Sequence, residues 1–138
     1  MRGLNVERLH KLADVIEVQK DNSKLSQQQT WKADEGFDMR HVTHECGTPS
    51  CIAGFVFNLF GGGQMLMSGG LSTAAELLGG EYYVKTKDAV ELHPLFMPAP
   101  RSPAWHATPA QAAQVIRHLA ATGEINWDKF VPAKEEEK

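Results

Sequence analysis

Thr48-Pro49-Ser50-Cys51-Ile52-Ala53-Gly54-Phe55-Val56-Phe57-Asn58-Leu59-Phe60-Gly61-Gly62-Gly63 is the stretch from which the fold can be read. Ile52, Phe55, Val56, Leu59 and Phe60 recur at i, i+3, i+4, i+7 and i+8, which places them on one face of an α-helix. Thr48 and Pro49 have the form of a helix opening. The hydroxyl caps free amides, and proline fills a first-turn position whose N–H needs no partner. The three glycines at 61–63 stop the helix. Gly54 inside it weakens the helix by roughly 1 kcal/mol relative to alanine, so close packing by another backbone is expected there.

Outward from this helix, the same logic places two more. Asn5 caps a helix carrying Val6, Leu9, Leu12, Ala13 and Ile16 on one face. Thr108-Pro109 repeats the cap-and-proline opening, Gln111 completes a capping box, and Ala112, Val115, Ile116, Leu119 and Ala120 form a stripe that ends at Gly123. Two shorter helices are expected. In one, Leu71 precedes a capping box of Thr73 and Glu76 before Gly79-Gly80; the other covers Thr86 to Leu92. Tyr82-Tyr83-Val84 has local strand character without a partner strand. Pro98, Pro100 and Pro103 enforce extended coil, and Trp127 and Phe130 fold back on the core. The fold class is therefore mainly α, a compact irregular helical domain of three main and two short helices over residues 1–132. A disordered acidic tail follows at 133–138. Residues 21–35, with Gln27, Gln28 and Gln29 in a row, read as a long loop or an insertion, mobile relative to the core.

The chain has 138 residues, enough for one hydrophobic core without staples. Its formal net charge is −3 and it has no basic stripe, so the counterion release that drives nucleic-acid affinity lacks a source. No apolar run approaches the ~20 residues that span a bilayer, and no signal-peptide core is legible near the N-terminus. Two cysteines, Cys46 and Cys51, are too few for a secreted disulfide framework. The expectation is a cytoplasmic protein with reduced thiols, binding neither nucleic acid nor membrane.

The chemically distinctive residues lie between His41 and Gly54, and three readings of them are open. Cys51 in a first helical turn would be activated as a nucleophile by unpaired amides, with His44, His93 or His106 as base. Cys51-Ile52-Ala53-Gly54-Phe55-Val56 resembles the helix opening of a family of cysteine peptidases, which also need a histidine on a downstream strand. His41, His44, Cys46 and Cys51 supply two imidazoles and two thiols apt for tetrahedral zinc, although four residues separate the cysteines where familiar structural sites use paired CxxC or HxxxH knuckles. In the structural reading, Cys46-Gly47-Thr48-Pro49 is a turn and Cys51 is a small apolar residue sealing the helix. Asp34, Glu35 and Asp38 read as solvated loop acids. Trp31, Tyr82, Tyr83 and Trp105 are the aromatic residues suited to a partner-binding surface.

Taken together, Asn5-Val6-Glu7-Arg8-Leu9, Phe37-Asp38-Met39, the Cys46-Gly47-Thr48-Pro49-Ser50-Cys51-Ile52-Ala53-Gly54 segment, Ala74-Ala75-Glu76-Leu77-Leu78-Gly79, Leu95-Phe96 and Thr108-Pro109 resemble a group of small uncharacterised proteins. These are frequent in bacteriophage, prophage and some bacterial genomes, and the Cys-Gly-Thr-x-x-Cys-x-Ala-Gly segment is the specific part of the likeness. The chain departs from the group's pattern in its Gln-rich stretch and in Phe55, where tryptophan is usual. The resemblance implies an accessory protein in the cytoplasm of a bacterium or a phage-infected host and supplies no catalytic residues. The leading expectation is a non-enzymatic protein without cofactor. It would bind a protein of the bacterial host, such as a defence component of the CRISPR-effector kind. A small cysteine-dependent hydrolase and a zinc-stabilised binding module are the alternatives.

Overall fold

The computed structural model describes residues 4–41, 44, 49–61, 71–82, 90–99 and 101–131. Among them run seven α-helices: α1 (Val6–Glu17), α2 (Gln27–Lys32), α3 (Ile52–Phe60), α4 (Leu71–Leu77), α5 (His93–Phe96), α6 (Pro109–Thr122) and α7 (Trp127–Phe130). A 3₁₀ turn covers Pro103–His106. The mainly helical class is as expected, and α1, α3 and α6 are the three main helices. No described helix is long and apolar enough to cross a membrane.

The most extensive helix pair is α1 with α6. Leu9, Leu12, Ala13 and Ile16 of α1 and Ala112, Val115, Ile116 and Leu119 of α6 are all fully buried, with alanines on both sides letting the helices approach. Each large side chain withdrawn from water contributes about 1.5–3 kcal/mol. Local signals at both helices match the sequence. Asn5 Oδ1 accepts from the Arg8 amide at 3.0 Å. Thr108 and Gln111 form a reciprocal capping box, and Gly123 closes α6 at φ +81°, a left-handed angle that suits glycine. Outside the interface, Arg117 of α6 donates to Asp14 and Glu17 of α1, each at 2.8 Å. The guanidinium holds the Glu17 carboxyl below the usual carboxylate range.

Against this pair lies α3, buried on all sides from Ile52 to Phe57. A helix apolar all round is a central one. Its opening differs from expectation, because the helix starts at Ile52 with Cys51 as its cap residue. Ser50 is held elsewhere: its hydroxyl donates to the Asp38 carbonyl at 2.9 Å, and its own carbonyl accepts from the Asp38 amide at 3.0 Å. That reciprocal pair keeps Pro49 and Ser50 extended and delays the helix.

Other boundaries also shift. Helix α4 is already running at Leu71, so Thr73 and Glu76 lie inside it and do not cap its start. No helix covers 90–92; instead Glu81 pairs with Glu91 in an isolated parallel bridge, the Glu81 amide donating to Val90 O and the Leu92 amide to Glu81 O. The next short helix is α5, just after that bridge. The expected helical residues 86–89, Tyr83-Val84 and the acidic tail 133–138 lie outside the described residues. Trp127 is buried as expected, its indole N–H donating to the Pro94 carbonyl at 2.8 Å, and Phe130 packs beside the core.

The largest departure is at residues 21–35. The Gln-rich stretch is not an open loop: Ser26 caps α2 through a complete capping box with Gln29. Ser26-x-x-Gln29 carried that signal, but α2 lacks an apolar stripe, so hydrophobic periodicity misses it.

Candidate functional site

The segment from Phe37 to His44 runs between α2 and the start of α3, and it brings together most of the chemically distinctive side chains. Phe37 is anchored in the core, fully buried, its ring 6.4 Å from that of Phe55. Asp38, expected as a solvated acid, is also fully buried. Its Oδ1 accepts from the Arg40 amide at 2.8 Å and from Arg40 Nε at 3.0 Å, and its Oδ2 from Arg40 Nη2 at 2.5 Å. A buried carboxylate needs such a partner, because leaving water unpaired costs several kcal/mol. Nη2 also reaches the Leu25 carbonyl at 2.6 Å, tying the segment to the turn before α2. Sequence reading missed this pair; the visible hint was an arginine two residues after an acid that itself sits between Phe37 and Met39.

His44 is nearly inaccessible, at 1% exposure. Its Nδ1 lies 2.6 Å from the Thr30 carbonyl and its Nε2 lies 3.1 Å from the Gly36 carbonyl. Carbonyl oxygens only accept, and a neutral imidazole carries one N–H, so the ring satisfies both only when both nitrogens are protonated. In either state, both nitrogens face backbone oxygens. His41 is half-buried, with Nε2 2.9 Å from the Gln27 carbonyl and its ring 5.5 Å from that of Trp31.

Cys51 is buried at the cap position of α3. Burial pushes its thiol up to about 11 from the ordinary 9.0; the nearby amides of Gly54, Ala53 and Cys51 oppose this without prevailing, and Asp38 adds to it. The sulfur makes no capping hydrogen bond. An activated cysteine requires a depressed pKa and access to substrate, and here both are reversed. The three candidate bases lie in different surroundings. His44 is enclosed by carbonyls, His93 sits in α5 with its ring edge-on to Tyr82 at 5.0 Å, and His106 is exposed at the end of the 3₁₀ turn. Cys51 is thus a buried residue at the cap position of α3.

The zinc set fares differently. Cys46 lies outside the described residues. Among the described residues no three His, Cys, Asp or Glu side chains converge as a metal cage would require, so His41, His44 and Cys51 are not gathered about one point. Both His44 nitrogens are already engaged by carbonyls.

The aromatic candidates divide by exposure. Trp31 is 39% exposed on α2. Trp105 is half-buried and donates its indole N–H to the Ala99 carbonyl at 3.0 Å, bracing the proline-rich turn. That turn also holds Arg101 at φ +67°, uncommon for a residue with a side chain. Tyr82 is half-buried against the core, and Tyr83 lies outside the described residues. Beside Trp31 on α2, a shallow open depression is lined by Ser26, Gln28, Gln29, Lys32 and Ala33. Compared with protein-family models, curated proteins and solved structures, the chain matches none of them.

Proposed function

We propose that this chain acts by binding another protein, as a non-enzymatic accessory protein of phage or mobile-element type. Its partner is a protein of the bacterial host, with a defence component such as a CRISPR effector as the leading class. The observation that carries this reading is a contrast: Cys51 and His44 are buried, while Trp31 stands exposed on α2 with its ring against His41. A partly exposed tryptophan offers large contact area at low entropic cost, the feature that recurs at interface hot spots. The depression beside it offers the hydroxyl of Ser26, the amides of Gln28 and Gln29, and the ammonium of Lys32 as polar contacts.

The experiment is a pull-down from host lysate with wild type and Trp31→Ala in parallel. A specific host protein retained by wild type and lost with Trp31→Ala is the expected result. Recovery of no specific protein, or retention that ignores Trp31, overturns the reading. Adding the captured partner's own activity assay then asks whether binding inhibits a defence nuclease.

A further inference from the structure

Residues 21–36 leave and rejoin the fold at one point. The Phe37 amide donates to Lys20 O at 2.7 Å and the Asn22 amide to Phe37 O at 3.1 Å, pairing Asp21 with Phe37 in a parallel bridge. Within this excursion the buried residues are Asn22, Ser23, Thr30 and Gly36, and none is a large apolar side chain. Hydrogen bonds within it join Ser26 with Gln29 in the capping box, Asn22 Nδ2 to Glu35 O at 2.8 Å, and Ser23 N to Asp21 Oδ1 at 2.9 Å. Among the described residues, a row of polar side chains beyond the bridge ties it to the rest. Arg40 reaches Leu25 O, His41 reaches Gln27 O, and His44 reaches Thr30 O and Gly36 O.

We propose that residues 21–36 form a flap that opens as a unit about the Asp21–Phe37 bridge while the α1–α3–α6 core stays folded, with Arg40, His41 and His44 as its latch. Two features make opening easy. Releasing the flap strips no large apolar side chain of its own from a core, which is the main resistance to local unfolding elsewhere in the chain. It also brings water to Asn22 Oδ1 and Thr30 Oγ1, which are buried without a hydrogen-bond partner among the described residues. The latch itself is polar and can exchange its carbonyl partners for water. Opening uncovers His44 and the Arg40 guanidinium together, so the closed and open states differ in the donor groups they show to solvent.

Native-state hydrogen exchange on the full chain tests this. The amides of Gln29, Thr30 and Ala33 in the flap are compared with those of Ile116 and Leu119 in α6. The flap amides are expected to exchange about 100-fold faster through an opening that leaves α6 protected. Ile116→Val, a mild core deletion, should speed α6 exchange by about fivefold and leave the flap amides unchanged. His41→Ala, at a half-buried position, should speed the flap amides and leave α6 unchanged. Flap amides that follow α6 in Ile116→Val would overturn the proposal, since they would then open only with the whole domain. Flap exchange indifferent to His41→Ala would remove His41 from the latch and overturn that part of the assignment.

Discussion

Replacing Arg40 with methionine should be one of the most damaging single changes outside the helical core, because it strands the Asp38 carboxylate at zero exposure. Removing one partner of a buried ion pair typically costs 3–5 kcal/mol; the Arg40 side chain is 15% exposed, so the lower end, about 3 kcal/mol, is expected. Asp38→Asn alone leaves an arginine that can turn toward water and should cost less, about 1–2 kcal/mol. In the double variant no charge is stranded. Its cost should be about 2–3 kcal/mol against a sum of roughly 4–5 for the singles, a coupling of about 2 kcal/mol. Urea unfolding followed by far-ultraviolet circular dichroism measures all four proteins, with equal m values as the condition for comparing them. Singles that add to the double within about 0.5 kcal/mol would refute the reasoning, since an uncoupled Asp38 could not be the buried, arginine-held carboxylate described above.

The remaining expectations are narrower. Gly36 sits at φ +107°, and a Cβ there would lie 2.2 Å from Asn22 Nδ2, so Gly36→Ala should destabilise by about 1–3 kcal/mol and be partly relieved by Asn22→Ala, as read by thermal unfolding. Thr108→Ala removes one half of the α6 capping box and should cost about 1 kcal/mol, measured by urea unfolding. Because the folded Cys51 thiol holds its proton more tightly than the unfolded one, its contribution is present below about pH 9 and is lost as pH rises toward about 11. The stability difference between wild type and Cys51→Ala should therefore move by about 2–3 kcal/mol over that window, and a flat difference would contradict the burial. At pH 8, Cys51 should react with iodoacetamide far more slowly than in urea, measured by mass spectrometry of the native chain. Fast native alkylation would favour the nucleophile reading.

The helices that build the core were legible in the residues because their signals are local. Asn5, Thr108-Pro109-x-Gln111 and Gly123 act on the backbone within one turn, and the apolar stripes of α1 and α6 repeat at the helical period over three turns or more. Helix α2 escaped because its stabilisation comes from a cap and a polar latch, neither of which produces hydrophobic periodicity. The start of α3 moved because Ser50 is engaged by Asp38, twelve residues away in sequence.

Composition and periodicity alone thus determined a mainly helical domain, its three long helices and its apolar core, since these follow from side-chain spacing and chain-local hydrogen bonding. Only the tertiary structure decided the fate of the polar residues. Whether Asp38 is solvated or buried, whether Cys51 is activated or sealed, and whether His44 is free or held between two carbonyls depends on which groups the fold brings within about 3 Å, where desolvation and hydrogen bonding outweigh intrinsic preference.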